Sequence, residues 1–195
     1  LIGLLAIVVL TGIAFSNATE GQWLTNWDDN IYVLNNHRIA ETESLLDIFL
    51  GYDTDNYHPL TTLSYAIENR LHGLDASKFH LHNILLHLAN TILLFVFLRK
   101  LLKNEWMALV MACLFAVHPL RVESVAWISE RKDVLYALFF LLSLISYLRY
   151  RDVGSSKSYF WALGFFFPLT SFKITSSCFK PSIVLDLSLI HISEP

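Results

Sequence analysis

Five apolar runs of unequal length divide the chain. Leu1–Phe15 (LIGLLAIVVLTGIAF) carries no charge, and Ile84–Leu98, Trp106–Val117, Val134–Leu148 and Tyr159–Phe167 follow. A helix that crosses about 30 Å of hydrocarbon needs about 20 residues. Flanking residues must therefore join these runs, which predicts spans at about 1–16, 78–98, 105–118, 134–149 and 158–172. The run Trp106–Val117 has only twelve residues, so it must tilt, borrow its flanks, or lie in a thinned, protein-lined region. No basic stretch precedes Leu1–Phe15 and no A-x-A site follows, so it reads as the tail of a first transmembrane helix, not a signal peptide. The connecting loop 17–77 has a pattern of its own. Ser44–Leu50 is apolar on one side. Pro59 suits a first helical position, Leu60, Leu63, Ile67 and Leu71 recur on one face, and Gly73 suits a terminator. Helices are predicted over 45–50 and 59–72, lying on the outer membrane surface.

Composition agrees with a membrane protein. The 195 residues are 54% hydrophobic and only 16% charged, and mean hydropathy is +0.48. A soluble domain carries about 25% charged residues. Net charge is −3, without the basic excess of a nucleic-acid partner. The two cysteines, Cys113 and Cys178, cannot build a disulfide framework or a cysteine-based metal site. Loop charges set the orientation. Segments 99–105 and 149–157 each hold three basic residues and one acidic, whereas the loop 17–79 holds ten acidic and three basic. The positive-inside rule puts the first two in the cytoplasm, so 17–79 and 118–133 face outward. Leu187–Pro195 (LSLIHISEP) reads as the translation of a transposase adapter used in short-read library preparation, so 187–195 is expected to be an artefact and the authentic domain to span 1–186.

Four polar constellations interrupt this pattern. Asn26-Trp27-Asp28-Asp29 places paired carboxylates just after the first span. Asp28 and Asp29 could act as a general base, bind a divalent cation or sugar hydroxyl, or simply form a solvated turn. In His118-Pro119-Leu120-Arg121-Val122-Glu123, Arg121 could hold a lipid phosphate and Glu123 assist it, or the two could form an interfacial pair. In Glu130-Arg131-Lys132-Asp133 the two cations could grip a phosphate, or the run could be a self-neutralising boundary. His80, Asn83, His87 and Asn90 share one helix face, where polar groups join neighbouring helices; no carboxylate or cysteine shares the stripe to favour a metal.

The stretches NWDDNIYV, YHPLTTLSYAIENRLHGLD, FHLHNILLHLANTILLF and LFAVHPLRVESVAWISERKDVLY together resemble the membrane domain of GT-C type glycosyltransferases. The nearest group joins this domain to tetratricopeptide repeats and is related to the transmembrane and tetratricopeptide-repeat O-mannosyltransferases. The likeness covers about residues 20–150, and the wording Glu130–Asp133 is closer to bacterial members. It implies an all-α, multi-span helical bundle with a large outer loop, here an amino-terminal fragment inactive by itself. It implies transfer of a sugar such as mannose, with inversion, from a polyprenyl-phosphate donor to a protein or glycan hydroxyl on the outer face, in a bacterial inner membrane. Asp28 and Asp29 then stand where the family has its base. His118, Arg121 and Glu123 match a second-loop motif that meets donor phosphate or acceptor, with Arg131 and Lys132 beside it. No resident cofactor is implied beyond a divalent cation as an option. Two other readings remain: a non-catalytic membrane anchor for a repeat domain, and a transporter fragment.

Overall fold

The computed structural model describes residues 2–40, 45–50 and 58–173. Cys178 and the adapter-like stretch 187–195 lie outside the described residues. All regular elements among the described residues are helical. The predicted fold class, an all-α membrane protein, is what the chain adopts. Helix α1 (Ile2–Ala14) leads through a 3-10 turn (Ser16–Glu20) and a π-helical turn (Asn30–Leu34) to the short helices α2 (His37–Ala40) and α3 (Leu45–Leu50). Then come α4 (Pro59–His72), α5 (Ala76–Leu102), α6 (Glu105–Val117), α7 (Leu120–Ala126), a 3-10 turn (Ile128–Glu130), α8 (Arg131–Val153) and α9 (Ser156–Lys173).

Local chemistry explains the boundaries. Asp75 caps α5 by accepting from Ser77 N at 3.0 Å, and Asn104 caps α6 by accepting from Met107 N at 3.1 Å. Gly73 and Gly154 end α4 and α8 with φ of +67° and +70°, a region that glycine enters without Cβ strain. Pro119 breaks the path between α6 and α7. His118 before it is extended, as a residue preceding proline prefers, and the two helices meet at 62°.

Helix α5 is the axis, touching α1, α4, α6, α7 and α8, while α9 packs along α8. One core joins Ile7, Phe95, Leu98, Ala108 and Ala112. On α6, Ala108, Ala112 and Ala116 recur every fourth residue at 0% exposure, while Leu114 on the outer face is 60% exposed. Small residues inward and large apolar residues outward is the arrangement of a helix packed closely on a neighbour within lipid. Helix α5 is inside out as well: His80, Asn83, His87 and Asn90 are buried and Leu81 and Leu85 exposed. Helix α4 repeats this. Its buried residues are Pro59, Thr61, Tyr65, Ala66 and Glu68, whereas Ile67 and Leu71 face outward.

Two helices, Ala76–Leu102 and Ile128–Val153, are long and apolar enough to cross a membrane alone. The bent pair α6–α7 passes the same test as one unit, and Gly3–Ala14 is apolar but shorter.

Candidate active site at one end of the bundle

Residues from the first loop and from 118–133 meet at one end of the bundle. Asp29 links segments 100 residues apart. Its Oδ2 accepts from Leu24 N at 3.0 Å, and its Oδ1 accepts from Ser129 N at 3.0 Å and from Ser129 Oγ. Asp29 is 1% exposed, and both of its oxygens are engaged. Trp27 meets Trp127 edge to face at 5.7 Å between ring centres, which ties the same two segments a second time. Asp28 is half-buried and stands beside this clasp.

Arg131 is fully buried at 0% exposure. Its Nε donates to Asn83 Oδ1 at 2.6 Å and its Nη2 to Phe79 O at 2.9 Å. Its Nη1 donates to Glu68 Oε1 and, at 3.3 Å, to Ser64 Oγ. The guanidinium lies 4.6 Å from the Tyr65 ring centre and 5.5 Å from that of Phe79. Arg131 thus ties α4, α5 and α8 together through partners inside the bundle. Burial pushes the Glu68 carboxyl up from its ordinary value against the pull of Arg131, and pushes the Tyr65 phenol up too. Tyr65 donates its hydroxyl to Ile128 O at 2.6 Å. Lys132 is partly buried, pairs with Glu130 at 2.9 Å and lies 5.9 Å from the Tyr32 ring centre. Burial, helped by the Lys132 charge, lowers the His58 pKa to about 4, so this imidazole is neutral at pH 7.

The His118–Glu123 segment is arranged differently. His118 is exposed, and its Nδ1 accepts from Leu120 N at 3.2 Å, opening α7. Glu123 is exposed. Arg121 is half-buried, with its guanidinium 5.1 Å from the Phe115 ring centre. It borders a cavity of about 220 Å³, mouth included, shared with His87, Asn90, Ser124 and Asp133. Neither Asp28, Asp29 nor His118 lines this cavity. Among the described residues no group of three or more His, Cys, Asp or Glu side chains could hold a metal ion.

Three of the four stripe residues on α5, Asn83, His87 and Asn90, perform the joining role the spacing suggests, while the ring nitrogens of the buried His80 make no hydrogen bond. Asn83 Nδ2 donates to Trp127 O at 3.2 Å and Asn90 Nδ2 to Val134 O at 2.8 Å, and His87 Nε2 lies 3.1 Å from Ala116 O. Sequence reasoning missed Ser129, which holds Asp29, and Glu68, which holds Arg131. Glu68 lies to one side of the leucine row on α4, and nothing in its local sequence reports Arg131. Ser129 had no local signal either.

Inside-out helices with a polar end define a helical membrane protein. Its relatives place it further. Protein O-mannosyl-transferase TMTC2 of Mus musculus is 39% identical over 111 residues, 56% of this chain and 13% of that protein. Protein O-mannosyl-transferase TMTC1 of Homo sapiens is 42% identical over 100 residues, 51% of this chain and 11% of that protein. Protein O-mannosyl-transferase TMTC4 of Homo sapiens is 32% identical over 179 residues, 77% of this chain and 24% of that protein. The chain is a homologue of part of the protein O-mannosyl-transferases and spans at most about a quarter of the length of these relatives. No family model matches the chain, and no solved structure matches it significantly.

Proposed function

We propose that the chain is part of a GT-C type membrane glycosyltransferase that moves a hexose such as mannose from a polyprenyl-phosphate donor to a protein or glycan hydroxyl. The observation that carries this reading is the Asp29–Ser129 clasp, which spans 100 residues and brings the paired carboxylates to the segment bearing the second motif. The names of the relatives support the reaction class. Asp29, with both oxygens engaged, acts as the positioning residue. Asp28, half-buried beside it, is the base that takes the proton of the acceptor hydroxyl. As the acceptor oxygen bonds to the anomeric carbon, the sugar–phosphate bond breaks and charge gathers on the leaving phosphate. Arg121 is the cation that meets it, with His118 and Glu123 beside the path. Arg131 supports the site from within, and Lys132 lines its floor. A divalent cation is an optional addition at the carboxylate pair. The five predicted spans, with 17–79 and 118–133 outward, belong to this reading. So does a bacterial inner membrane, supported by the wording Glu130–Asp133.

The test is sugar transfer by the full-length protein. Asp28→Asn should cut turnover by about 10²–10⁴-fold with normal expression. Arg121→Lys should also lower turnover, because the planar bidentate grip is lost while the charge is kept. A membrane anchor without catalysis would show no transfer at all. Unchanged turnover in Asp28→Asn would remove the base assignment.

A further inference from the structure

The cavity beside Arg121 is small and polar on one side. It has room for about one water molecule, and its lining includes His87, Asn90, Ser124 and Asp133. Asn90 lies about two helical turns past Asn83 on α5 and is 1% exposed. Its amide is only half used. Val134 O is an acceptor, so the amide turns its Nδ2 that way and donates there at 2.8 Å. Asn90 Oδ1 is left on the other side of the amide, buried and without a donor. A buried acceptor left unpaired costs about 1–3 kcal/mol. Arg121 has the complementary lack. Arg131 commits its guanidinium to Asn83, Ser64, Glu68 and Phe79. Arg121 has the Phe115 ring at 5.1 Å and, among the described residues, no hydrogen bond or ion pair. A ring face sets the height of a guanidinium plane and leaves it free to turn within that plane. Asp133 does not fix it directly, since its Oδ2 accepts from Ser124 Oγ at 3.4 Å.

We propose that one water bound in this cavity joins Asn90 to Arg121, which makes Asn90 the positioning residue of that cation. The hydrogen bonds balance. The guanidinium donates to the water oxygen, and the water donates one proton to Asn90 Oδ1 and the other to the Asp133 carboxylate. A buried water persists where it has about two to four polar partners, and this cavity supplies them. Arg121 and Asp133 line the cavity with opposite charges, so no ion is needed there to balance either. Held in its plane by the water, the guanidinium can turn one edge, with both of its N–H groups, toward a phosphate. The positioning role rests on the glycosyl-transfer reading; the water does not.

The test uses the full-length protein in lipid nanodiscs. An X-ray pulse turns water into hydroxyl radicals, which oxidise the side chains beside a bound water even where bulk solvent is absent. His87 and Val125 line the cavity and are buried, so oxidation there, read by mass spectrometry, reports an internal water, with buried Ile7 as the dry control. Ala137 also lines the cavity, and Ala137→Val fills the space of the water while leaving Asn90 and Arg121 unchanged. It should abolish the oxidation of His87 and Val125. Unoxidised His87 and Val125 in the parent overturn the proposal, and that measurement needs no variant to fold. In sugar transfer, Asn90→Leu and Ala137→Val should each lower kcat about 10-fold, the worth of one hydrogen bond, with KM for the acceptor unchanged. In an Arg121→Lys background neither should lower it further. A purely structural Asn90 would give additive losses, and additivity with parent-like melting overturns the positioning role. If Asn90→Leu melts early, Ala137→Val decides that role alone. If the full-length protein transfers no sugar, the transfer reading falls and the oxidised His87 still establishes the water. If it transfers sugar and His87 stays unoxidised, the reading stands and the proposal falls.

Discussion

The two cores of this bundle are both apolar at heart, Ile7, Phe95 and Leu98 in one and Val33, Tyr65, Phe79 and Ile128 in the other, but only the second is threaded by buried charge. Around α1, α5 and α6, Ile7, Phe95 and Leu98 close on the alanines of α6 by apolar packing, with the His87–Ala116 O contact beside them. At the other end, Asp29, Glu68, Asn83, Ser129 and Arg131 are buried and held by directed hydrogen bonds. In lipid there is little hydrophobic drive to bring helices together, so close packing and polar contacts must do it. The comparison teaches where each is used. Packing does most of the joining around α1 and α6, with His87 and Asn90 adding single polar ties to α6 and α8. Charge joins the loops at the end where the candidate chemistry lies, and fixes the position of every group it touches.

Three changes should break or sharpen that contrast. The largest effect belongs to Arg131→Met, which leaves Glu68 buried without its partner. It should destabilise the protein by about 3–5 kcal/mol in detergent unfolding, and adding Glu68→Leu should restore part of the loss. Equal loss in the single and double variants would mean that packing, not charge, holds the polar end. Next, Ala112→Leu should push α6 from α5 and cost about 1–3 kcal/mol, read by thermal melting, whereas Leu114→Ala on the lipid face should change little. The smallest effect is on pH. His58 titrates at about 4 in the folded chain against 6.5 when unfolded, so the unfolded state binds more protons between these values. Its contribution to stability is full above pH 6.5 and is lost as pH falls toward 4. Glu68, pushed upward, acts in the opposite sense near the lower end. The reading is therefore the difference between parent and His58→Gln, which should shrink on acidification from pH 7 to pH 5 in melting experiments.

Much of this fold is legible in the sequence because membrane helices have few ways to be built. The apolar runs fall in α1, α5, α6, α8 and α9, and the α4 boundaries follow from Pro59 and Gly73. The His–Asn stripe announced its inward face. The site was less legible. The run Glu130–Asp133 reads locally as an exposed grip for phosphate, yet Arg131 is buried because its partners Glu68 and Asn83 lie 63 and 48 residues away. Nothing within a helical period of Arg131 reports them. The Asp28–Asp29 pair was visible as a pair, but that Asp29 is the one buried follows from Ser129, 100 residues further along the chain.

The stripe on α5 has one more consequence. Where α6 ends at Pro119, and where α7 gives way to α8, the chain leaves regular helix, and backbone carbonyls lose their helical donors. Irregular backbone at membrane depth persists only where protein satisfies it. Ala116 O and Trp127 O are met by His87 and Asn83, and Ile128 O by Tyr65. These side chains stand in for missing amides. Each Asn or His makes α5 a poorer entrant into the bilayer by itself. Substituting leucines would ease its insertion and leave the corner above it unbonded. The residues that make α5 a poorer entrant into the membrane are therefore the ones that let its neighbours bend there.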